Sequence, residues 1–489
     1  MKDYLRRLLS SKSLFADLLR PKIEVRKKIL IDYSSPNIAK QFHIGNLRST
    51  LIGRFIDVIN RTAGNEVISY NFLGDWGTQF SLMATLWPDC KPSEEVWNKS
   101  NDFEKIKLLT RCYVEANKLH RSSEVFKQKV QTVFQEMESA LSAGDLLSPK
   151  LEFWNEVRKI SLRHLNSFYR DLNISHDVTA AESENVKLAN ELADEFIARG
   201  LTVQTSDGLT VFKTKDIPGY EIIRKSDNTT LDLASLIKRD EVYAADRYLY
   251  VVDTSQSSHF VYMKAALKDL GRIDLANKVE HIPFGRVVGL STRRGRTESV
   301  AEILEEGFSL AKKFILASET MKVTNEELDG VARALSTSIV VTNDLKHHRT
   351  SEYVFSFDKA YQMKRVNGLL LQMKHSRLVS LEEHNKEIMR DILLDWPYQL
   401  EFNDQTMPLI NHINSLDMNL FSALALSEPC KVTTYLLKLA NLVGTAMVTL
   451  RVSGEPPEKA FPRMLIFATV RKILHEGIKI LGVDPVYKM

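Results

Sequence analysis

Residues 34–46 form a run of hydrogen-bonding and small residues, Ser-Ser-Pro-Asn-Ile-Ala-Lys-Gln-Phe-His-Ile-Gly-Asn. The run follows the apolar residues 29–31 and precedes apolar residues at helical spacing. A helix amino terminus at the carboxyl end of a parallel strand presents free N–H groups and a positive dipole end to phosphate. Lys40 and His43 add donors, and Gly45 allows an adenine to approach the backbone. We therefore predict a nucleotide site here, with a simple capping turn as the alternative.

A second candidate segment is the cationic stretch 285–296, GRVVGLSTRRGR, which follows a strand-like run at 279–283. Small residues together with Arg293, Arg294 and Arg296 suit a loop that neutralises a polyphosphate while negative charge develops on its leaving group. Taken alone, the segment has a solvated basic loop as its alternative. Its pairing with a nucleotide site in one α/β body favours the catalytic interpretation.

The elements that must position these segments form an α/β body. A strand at 29–31 precedes a helix that begins near Leu47 and stops at Gly64, and a second strand follows at 67–70. Strand, helix and strand in this order make a βαβ unit. Further strands are predicted later in the chain, at 210–212, 248–252 and 279–283.

Two long stretches are predominantly helical. Residues 92–200 are polar-faced and poor in proline, as expected of an insertion, and from residue 299 the pattern is helical almost to the end. We predict an amino-terminal segment 1–28, a catalytic domain 29–298 with an insertion at about 90–235, and a helical domain 299–489. The predicted fold class is α/β, a Rossmann-type parallel sheet with a helical insertion, followed by an all-α bundle.

Composition excludes several other classes. The 20 glycines and 14 prolines make about 7% of 489 residues against an average near 12%, which argues against a turn-rich β sandwich or propeller. The net charge of +4 excludes a polycation. Cys90, Cys112 and Cys430 form no CxxC pair, so we expect no disulfide framework, no zinc site and a reducing compartment. No apolar run approaches the roughly 18 residues that span a bilayer, so no membrane partner is expected.

Two short motifs carry a resemblance to a known enzyme family. HIGN at 43–46 and GLSTRRG at 289–295 resemble the HIGH and KMSK motifs of class I aminoacyl-tRNA synthetases. The longer runs SSPNIAKQFHIGNLRS and NFLGDWGTQF resemble arginyl-tRNA synthetases in particular. The resemblance continues through YVVDTSQSSHF (250–260), HIPFG (281–285), LLLQMKHSRL (369–378) and the terminal LGVDPVYKM. HIGN, together with the short RRG loop at 293–295, looks most like the arginyl-tRNA synthetases of animal mitochondria.

The resemblance implies an arginine–tRNA ligase whose helical bundle binds the anticodon. Such an enzyme joins L-arginine to ATP as arginyl-adenylate, releases pyrophosphate, and passes the arginyl group to tRNA(Arg). Mg²⁺ is expected with ATP, and the enzyme is expected to be a monomer. The mitochondrial matrix is favoured, with the cytoplasm as the alternative. In segment 1–28, Asp3, Asp17 and Glu24 are atypical of a cleaved presequence, so a structural helix and a linker are expected, with a presequence as the alternative. The resemblance implies that this segment is the remnant of the family's tRNA-elbow module.

The resemblance also implies roles for individual residues. Those implied to take part in catalysis are His43, Asn46, Lys40, Ser291, Arg293 and Arg294. Those implied to bind L-arginine are Ser35, Pro36, Asn37, Asn46, Asp232 and Gln256, with Asp32 as a further carboxylate. Those implied to bind ATP are His43, Gly45 and His259, and those implied to bind tRNA are Lys364, Arg365, Lys374 and Arg377. A guanidinium has five donors and no acceptor, so carboxylates suit an arginine pocket.

Some positions depart from the family pattern. Gly289 stands where the first lysine of KMSK would be, which removes one phosphate cation. Asn228 stands where a tyrosine usually precedes the pocket aspartate Asp232, and the stretch 227–232 is shorter than is usual in the family. These departures leave an alternative function open, a synthetase-like protein that binds tRNA without activating arginine.

Segment 346–377 carries seven basic residues against two acidic ones, which predicts a helical face for an RNA backbone, with a solvated face as the alternative. Structural roles are expected elsewhere in the chain. Trp76 and Phe80 are predicted in the core, and Asp75 is predicted to hold its loop. The adjacent histidines His347 and His348 are not expected to bind a metal.

Overall fold

The computed structural model describes residues 1–205, 209–213, 221–224, 231–291, 299–319, 321–362 and 367–489. The loop residues Arg293 and Arg294, the basic pair Lys364 and Arg365, and Asn228 lie outside the described residues. The roles expected for them stay predictions.

The described strands form one large sheet and two small ones. In chain order they are β1 Lys28–Asp32, β2 Glu66–Leu73, β3 Val178–Ala181, β4 Thr202–Gln204, β5 Thr210–Phe212, β6 Glu221–Arg224, β7 Arg247–Asp253, β8 Val279–Phe284, β9 Val287–Ser291 and β10 Tyr353–Ser356. The large sheet has the order β3-β2-β1-β7-β8, and all its neighbouring strands are parallel. β4, β5 and β6 form an antiparallel sheet, and β9 pairs in parallel with β10.

β1 lies at the centre of the large sheet. Ile29, Leu30 and Ile31 are fully buried, as expected of a parallel strand covered on both faces. Leu30 pairs with Ile68 on β2 and with Tyr248 on β7. The chain runs outward from β1 through β2 and β3, and later through β7 and β8 on the other side, so the strand order reverses between β1 and β7. Ligands bind beyond the carboxyl ends of strands at such a reversal.

Helices cover the sheet and form the carboxy-terminal part of the chain. In the first half they are α1 Lys2–Ser10, α2 Leu14–Leu19, α3 Ile44–Ala63, α4 Thr78–Cys90, α5 Glu94–Lys99, α6 Asp102–Ser122, α7 Glu124–Ser142, α8 Glu152–Asp171, α9 Val186–Ala198 and α10 Leu231–Tyr243. In the second half they are α11 Ser257–Asp269, α12 Ile273–Lys278, α13 Val300–Ala317, α14 Leu328–Leu345, α15 Phe357–Ala360, α16 Gly368–His384, α17 Lys386–Asp391, α18 Met407–Asn414, α19 Leu416–Leu426, α20 Pro429–Thr449 and α21 Pro457–Ile480. Short 3-10 turns occur at Arg20–Lys22, Pro149–Leu151, Glu182–Asn185 and Thr254–Gln256. Among the described residues, none of these helices has the length and apolar character needed to cross a membrane.

The first βαβ unit is confirmed, with one shifted boundary. α3 begins at Ile44, before the predicted Leu47, because His43 already caps the helix. It ends at Gly64, whose φ of 95° lies in the left-handed region that favours glycine. Within the helical pattern predicted from residue 299, α20 spans Pro429–Thr449.

Three strands pair differently from the sequence expectation. β3 falls within the range 90–235 predicted as an insertion, yet it pairs with β2 in the large sheet. The strand at 210–212 belongs to the antiparallel sheet and not to the large one. β10 lies beyond residue 298 and pairs with β9, so a small sheet crosses the predicted domain boundary. Strand partners are selected by tertiary packing, which a local pattern does not specify.

The amino-terminal helix packs on the carboxy-terminal part of the chain. α1 and α2 both contact α21, and Leu5, Leu8 and Phe15 are buried there. α16 in turn packs against α14, α20 and α21. The two ends of the chain therefore meet in one helical layer beside α3.

Candidate functional site

The loop after β1 has a strained backbone. Ser34 and Ser35 have φ values of 71° and 37°, in the left-handed region that few non-glycine residues adopt. The N–H of Ser35 donates to Oδ1 of Asn71 at 3.1 Å, and a backbone bridge joins Asn37 to Gly74. A Cβ at Gly74 would lie 1.9 Å from Oδ1 and 3.2 Å from Cα of Asn37, so any larger residue would displace the Asn37 side chain. The loop is therefore held firmly beside β2.

His43 caps the amino terminus of α3. Its Nδ1 accepts the N–H groups of Gly45 at 3.1 Å and Asn46 at 3.3 Å, and its own N–H donates to Oδ1 of Asn46. Burial and the charge of Lys40 lower the pKa of His43. A neutral imidazole whose Nδ1 accepts hydrogen bonds carries its proton on Nε2. His43 therefore offers an Nε2–H donor at the positive end of a 20-residue helix.

Gly45 and Lys40 complete this end of α3. A Cβ at Gly45 would lie 3.0 Å from Nδ1 and Cε1 of His43, so glycine keeps the cap free of crowding. The histidine cap is thus a structural reason for glycine, and room for an adenine stays a prediction. Lys40 Nζ lies 5.3 Å from the ring centre of Tyr113, and its charge acts on both His43 and Glu182.

Asp32, at the end of β1, is engaged inside the protein. Its Oδ2 accepts Nη1 of Arg239 at 2.6 Å, and its Oδ1 accepts the hydroxyl of Ser35 at 2.5 Å. The exposed fractions of the Asp32 and Arg239 side chains are 6% and 3%. Burial raises the pKa of Asp32, and Arg239 and Ser35 oppose that rise. The expectation that Asp32 gives the substrate a further carboxylate is therefore corrected, because this carboxylate balances Arg239.

Asp232 and His259 face each other at the start of α10 and α11. His259 Nε2 lies 3.3 Å from Oδ2 of Asp232, and their side chains keep exposed fractions of 23% and 47%. Burial opposes ionisation of Asp232, but the hydrogen bond and charge of His259, with Arg239, outweigh it and lower the pKa of Asp232. Sequence reasoning missed Arg239. Its position two helical turns after Asp232, on the same face of α10, is a signal that could have found it.

Glu182 is a second pocket carboxylate that sequence reasoning missed. It begins the 3-10 turn after β3, where its Oε2 accepts the N–H of Trp76 at 3.4 Å. Burial, followed by the charges of Asp232 and Asp75, raises the pKa of Glu182 well above its ordinary value, and Lys40 opposes them. Carboxylates that repel each other are stabilised by a cation between them. The sequence pattern gave no sign that β3 pairs with β2, and this pairing brings Glu182 to the same edge of the sheet.

Asp75 holds a neighbouring loop. Its carboxylate accepts the N–H and the hydroxyl of Ser183 and Nε of Arg158, each at 2.9 Å. Burial raises the pKa of Asp75, and these hydrogen bonds oppose the rise. Trp76 and Phe80 are buried. The structural roles predicted for these three residues are confirmed.

The other predicted substrate residues lie at the same edge of the sheet. Pro36 is buried and Asn37 exposed in the loop after β1, and Gln256 is exposed in the turn after β7. The edge therefore collects Ser35, Pro36, Asn37, Lys40, His43, Gly45, Asn46, Asp232, Gln256 and His259. Ser291 ends β9, opposite Ser356 of β10.

The described residues predicted to bind tRNA lie on α16. Arg377 is exposed, whereas Lys374 packs on α20, where a Cβ at Gly444 would lie 2.8 Å from its Nζ. Burial, and then Arg377, lower the pKa of Lys374. Arg349 turns inward and donates to a backbone carbonyl. The described basic face is therefore smaller than the residue count of segment 346–377 suggested.

The sequence matches two protein families in tandem. The family described as tRNA synthetases class I (R), catalytic domain, matches residues 6–357, and the DALR anticodon binding domain matches residues 371–489. The human protein named "Probable arginine--tRNA ligase, mitochondrial" is 32% identical over 479 residues, which cover 95% of this chain and 79% of the human protein. "Arginine--tRNA ligase, cytoplasmic" of Saccharomyces cerevisiae is 32% identical over 478 residues, which cover 96% of this chain and 77% of the yeast protein.

Solved structures of lower identity share the fold. Arginyl-tRNA synthetase from Plasmodium falciparum matches with a TM-score of 0.75 at 22% identity, covering 100% of this chain and 83% of that one. The Thermus thermophilus arginyl-tRNA synthetase matches with a TM-score of 0.74 at 19% identity, covering 100% of this chain and 86% of that one. The α/β body followed by helices is therefore a shared architecture.

Proposed function

Because the chain belongs to the class I arginyl-tRNA synthetase family, we propose that the sheet edge beyond β1 and β7 is its active site. The protein is an arginine–tRNA ligase, which joins L-arginine to tRNA(Arg) with ATP as substrate. One observation carries the assignment of the site. A helix terminus with the phosphate donor His43 stands at the same edge as two mutually repelling carboxylates, Glu182 and Asp232. ATP and arginine are thereby given neighbouring sites.

The guanidinium of L-arginine is assigned to Glu182 and Asp232. Ionised carboxylates only accept hydrogen bonds, and a guanidinium only donates them, in a planar fork that matches carboxylate geometry. A bound cation also counteracts the raised pKa of Glu182, so arginine binding favours its ionised form. An analogue without the fork would leave a carboxylate unpaired, so the pocket discriminates against it.

Activation of arginine takes place at the amino terminus of α3. A carboxylate oxygen of arginine attacks the α-phosphorus of ATP, the bond from that phosphorus to the bridging oxygen breaks, and pyrophosphate leaves. The Nε2–H of His43, the charge of Lys40 and the helix terminus stabilise the negative charge that builds up on the phosphate oxygens. Oδ1 of Asn46 accepts the backbone N–H of His43 in the helix cap, so the side-chain amide N–H groups are proposed to donate to the substrates. Ser291, Arg293 and Arg294 are proposed to neutralise the triphosphate.

In the second step, a hydroxyl of the terminal adenosine of tRNA attacks the carbonyl carbon of arginyl-adenylate, and AMP leaves. Ser35, Pro36, Asn37 and Gln256 are proposed to shape the pocket around the arginine backbone. His259 is proposed to contact both ATP and L-arginine, because it pairs with Asp232 at the edge where the nucleotide is proposed to bind. Lys364, Arg365, Lys374 and Arg377 are proposed to contact the tRNA backbone through their charge.

Three finer points belong to the same proposal. ATP enters as its Mg²⁺ complex, since Mg²⁺ keeps several waters and is commonly held through substrate phosphates. The enzyme acts as a monomer, a proposal that light scattering tests. It works in mitochondria, a proposal supported by the names of the human and other relatives, with the cytoplasm as the alternative.

Arginine-dependent exchange of pyrophosphate into ATP tests the proposed function. We expect exchange with L-arginine when tRNA(Arg) is present, and none when L-lysine replaces arginine. tRNA binding measured in parallel separates the two functions that the sequence left open. A protein that binds tRNA(Arg) but catalyses no exchange under any condition would be the synthetase-like tRNA-binding protein instead.

A further inference from the structure

A large cleft lies between α2, the second half of α3 and α21, away from the sheet edge that holds His43 and Asp232. Its volume is about 690 Å³. Three parts of the chain that are distant in sequence line it, with seven basic residues and one acidic residue, Glu476. None of these residues belongs to the proposed active site.

Three of the seven bases have carboxylate partners in the protein. Arg54 and Arg61 both pair with the buried Asp57, and Arg61 also pairs with Asp177. Arg471 pairs with Glu382 at 2.9 Å. These ion pairs hold three guanidinium groups at the cleft but reduce its positive charge only in part.

The other four bases differ in this respect. Within the described ranges, no carboxylate forms an ion pair with Lys12, Arg20, Lys472 or Lys479 at the 4.0 Å limit. Lys472 donates to two backbone carbonyls of the segment before α2, which carry no net charge. Nε of Arg54 is buried without a hydrogen-bond partner in the described structure. Apart from the paired guanidinium groups, the cleft thus presents Lys12, Arg20 and Lys479 as cationic groups without an ion pair among the described residues.

The acidic residue of the cleft is already engaged. Glu476 accepts the N–H groups of Leu14 and Phe15, at 3.2 and 3.4 Å. The neighbouring His475 reports the sign of the local field, because burial, and then the bases around it on α21, lower its pKa. Bases therefore outnumber acids in the lining, although the charges of Glu476 and Asp17 act on Lys472.

A concave surface with free ammonium and guanidinium donors suits phosphate oxygens. The cleft also lies within reach of a tRNA bound at the active site. α3 runs from the cap at His43 to Arg61 at the cleft, about 27 Å at roughly 1.5 Å per residue. That separation corresponds to about eight base pairs of a duplex at roughly 3.4 Å per pair.

We propose that the cleft between α2, α3 and α21 binds backbone phosphates of tRNA, as a contact separate from the catalytic site. The proposal rests on the ligase function only for the identity of the RNA. A free oligophosphate shares the same chemistry, so the experiment must distinguish the two sources of phosphate.

The test is the double variant Lys12→Glu/Lys479→Glu, because both side chains are exposed and neither is ion-paired within the described residues. We expect its Kd for a tRNA(Arg) transcript, measured by fluorescence anisotropy, to rise about tenfold. The salt dependence of binding should also weaken, by a slope of roughly 0.7 to 0.9 for each lost phosphate contact. Lys268→Glu reverses an exposed lysine of α11 outside the cleft and should bind tRNA like the wild type.

Unchanged affinity and salt slope in the folded double variant would overturn the proposal. Lys12→Gln/Lys479→Gln, which removes charge without reversing it, should show a smaller effect in the same direction. Calorimetry with inorganic triphosphate provides the second arm. If the Glu variant lost triphosphate binding while tRNA affinity stayed the same, the ligand would be a free oligophosphate and the tRNA assignment would be wrong. Wild-type protein that binds tRNA through the cleft but shows no pyrophosphate exchange would count against the ligase function alone.

Discussion

The carboxylates at the proposed active site differ in their partners, which come from distant parts of the chain. Arg239 lies against Asp32 and within 4.0 Å of the Tyr70 ring centre, which satisfies one carboxylate inside the protein. Although burial opposes ionisation, His259 lowers the pKa of Asp232, whereas burial raises the pKa of Glu182. We therefore propose that the substrate guanidinium binds these two carboxylates, for which the described residues show no ion pair with an arginine.

Glu182→Gln should impair arginine binding more than ATP binding. Removing one partner of a buried, hydrogen-bonded charge pair costs about 2–5 kcal/mol, so the KM for arginine should rise roughly thirtyfold or more. Pyrophosphate exchange at varied arginine and ATP measures the two constants. Glu184→Gln changes an exposed glutamate in the same turn and serves as the matched control. Equal effects of the two substitutions on arginine KM would remove Glu182 from the pocket.

His43→Ala should lower kcat by an order of magnitude or more, because a donor to the developing phosphate charge is lost. The substitution also removes a helix cap, which costs about 1 kcal/mol of stability. Asn101→Ala removes the comparable cap of α6 and should cost stability alone. Rapid-quench measurement of adenylate formation separates the two effects. A His43 variant with the wild-type chemical rate would place the ATP phosphates elsewhere.

At the scale of elements, a buried arginine fixes α3 to the region after α14. Nη1 of Arg48 donates to the carbonyls of Gly285 at 2.6 Å and Ser351 at 2.8 Å. Nη2 donates to two further carbonyls between α14 and β10, and Nε lies 3.6 Å from the carboxylate of Asp344. α3, the helix that His43 caps, is thereby connected to the carboxy-terminal helices.

Arg48→Lys should destabilise the protein although the charge is kept. An ammonium cannot replace the planar guanidinium at four carbonyls, so buried acceptors lose their donors at a cost of about 3 kcal/mol. Urea unfolding followed by circular dichroism measures the change. Arg163→Lys breaks an exposed pair with Asp102 and should cost at most about 1 kcal/mol. Similar losses in both variants would contradict the structural role of Arg48.

At the scale of the whole molecule, the last residues of the chain dock on α16. His375 is fully buried and donates from Nδ1 to the carbonyl of Val486 at 2.9 Å. Gln372 bonds to Val486 N–H and to the carbonyl of Asp484. Burial lowers the pKa of His375 to about 4, and the nearby His475 also lowers it.

Stability should fall as His375 is forced to take up a proton. In the unfolded chain a histidine titrates near 6.5, so between about pH 6.5 and pH 4 the unfolded state binds more protons than the folded state. The loss over that window is at most about 3 kcal/mol, and this group adds nothing further below it. His375→Asn keeps a donor for Val486 without titrating, so its urea midpoint should depend less on pH. His384→Asn, an exposed histidine of the same helix, should keep the wild-type dependence.

The sequence by itself determined the local features of this protein. The apolar run at 29–31, the helical spacing after it and Gly64 specified β1, α3 and its end, because propensity and periodicity act over a few residues. The HIGN segment between them predicted a phosphate site at the amino terminus of α3, and the structure places the cap residue His43 there. The burial of Trp76 and Phe80 could also be predicted, since large apolar residues in an α/β body are usually covered.

Tertiary structure alone decided which distant residues meet. Glu182 lies at the sheet edge beyond β1 because β3 pairs with β2, and Asp32 is paired inside the protein because Arg239 packs against it. The cationic cleft arises only where α2, α3 and α21 converge. Charge and hydrogen-bond partners act through space over a few ångströms, and a linear pattern carries no measure of that distance.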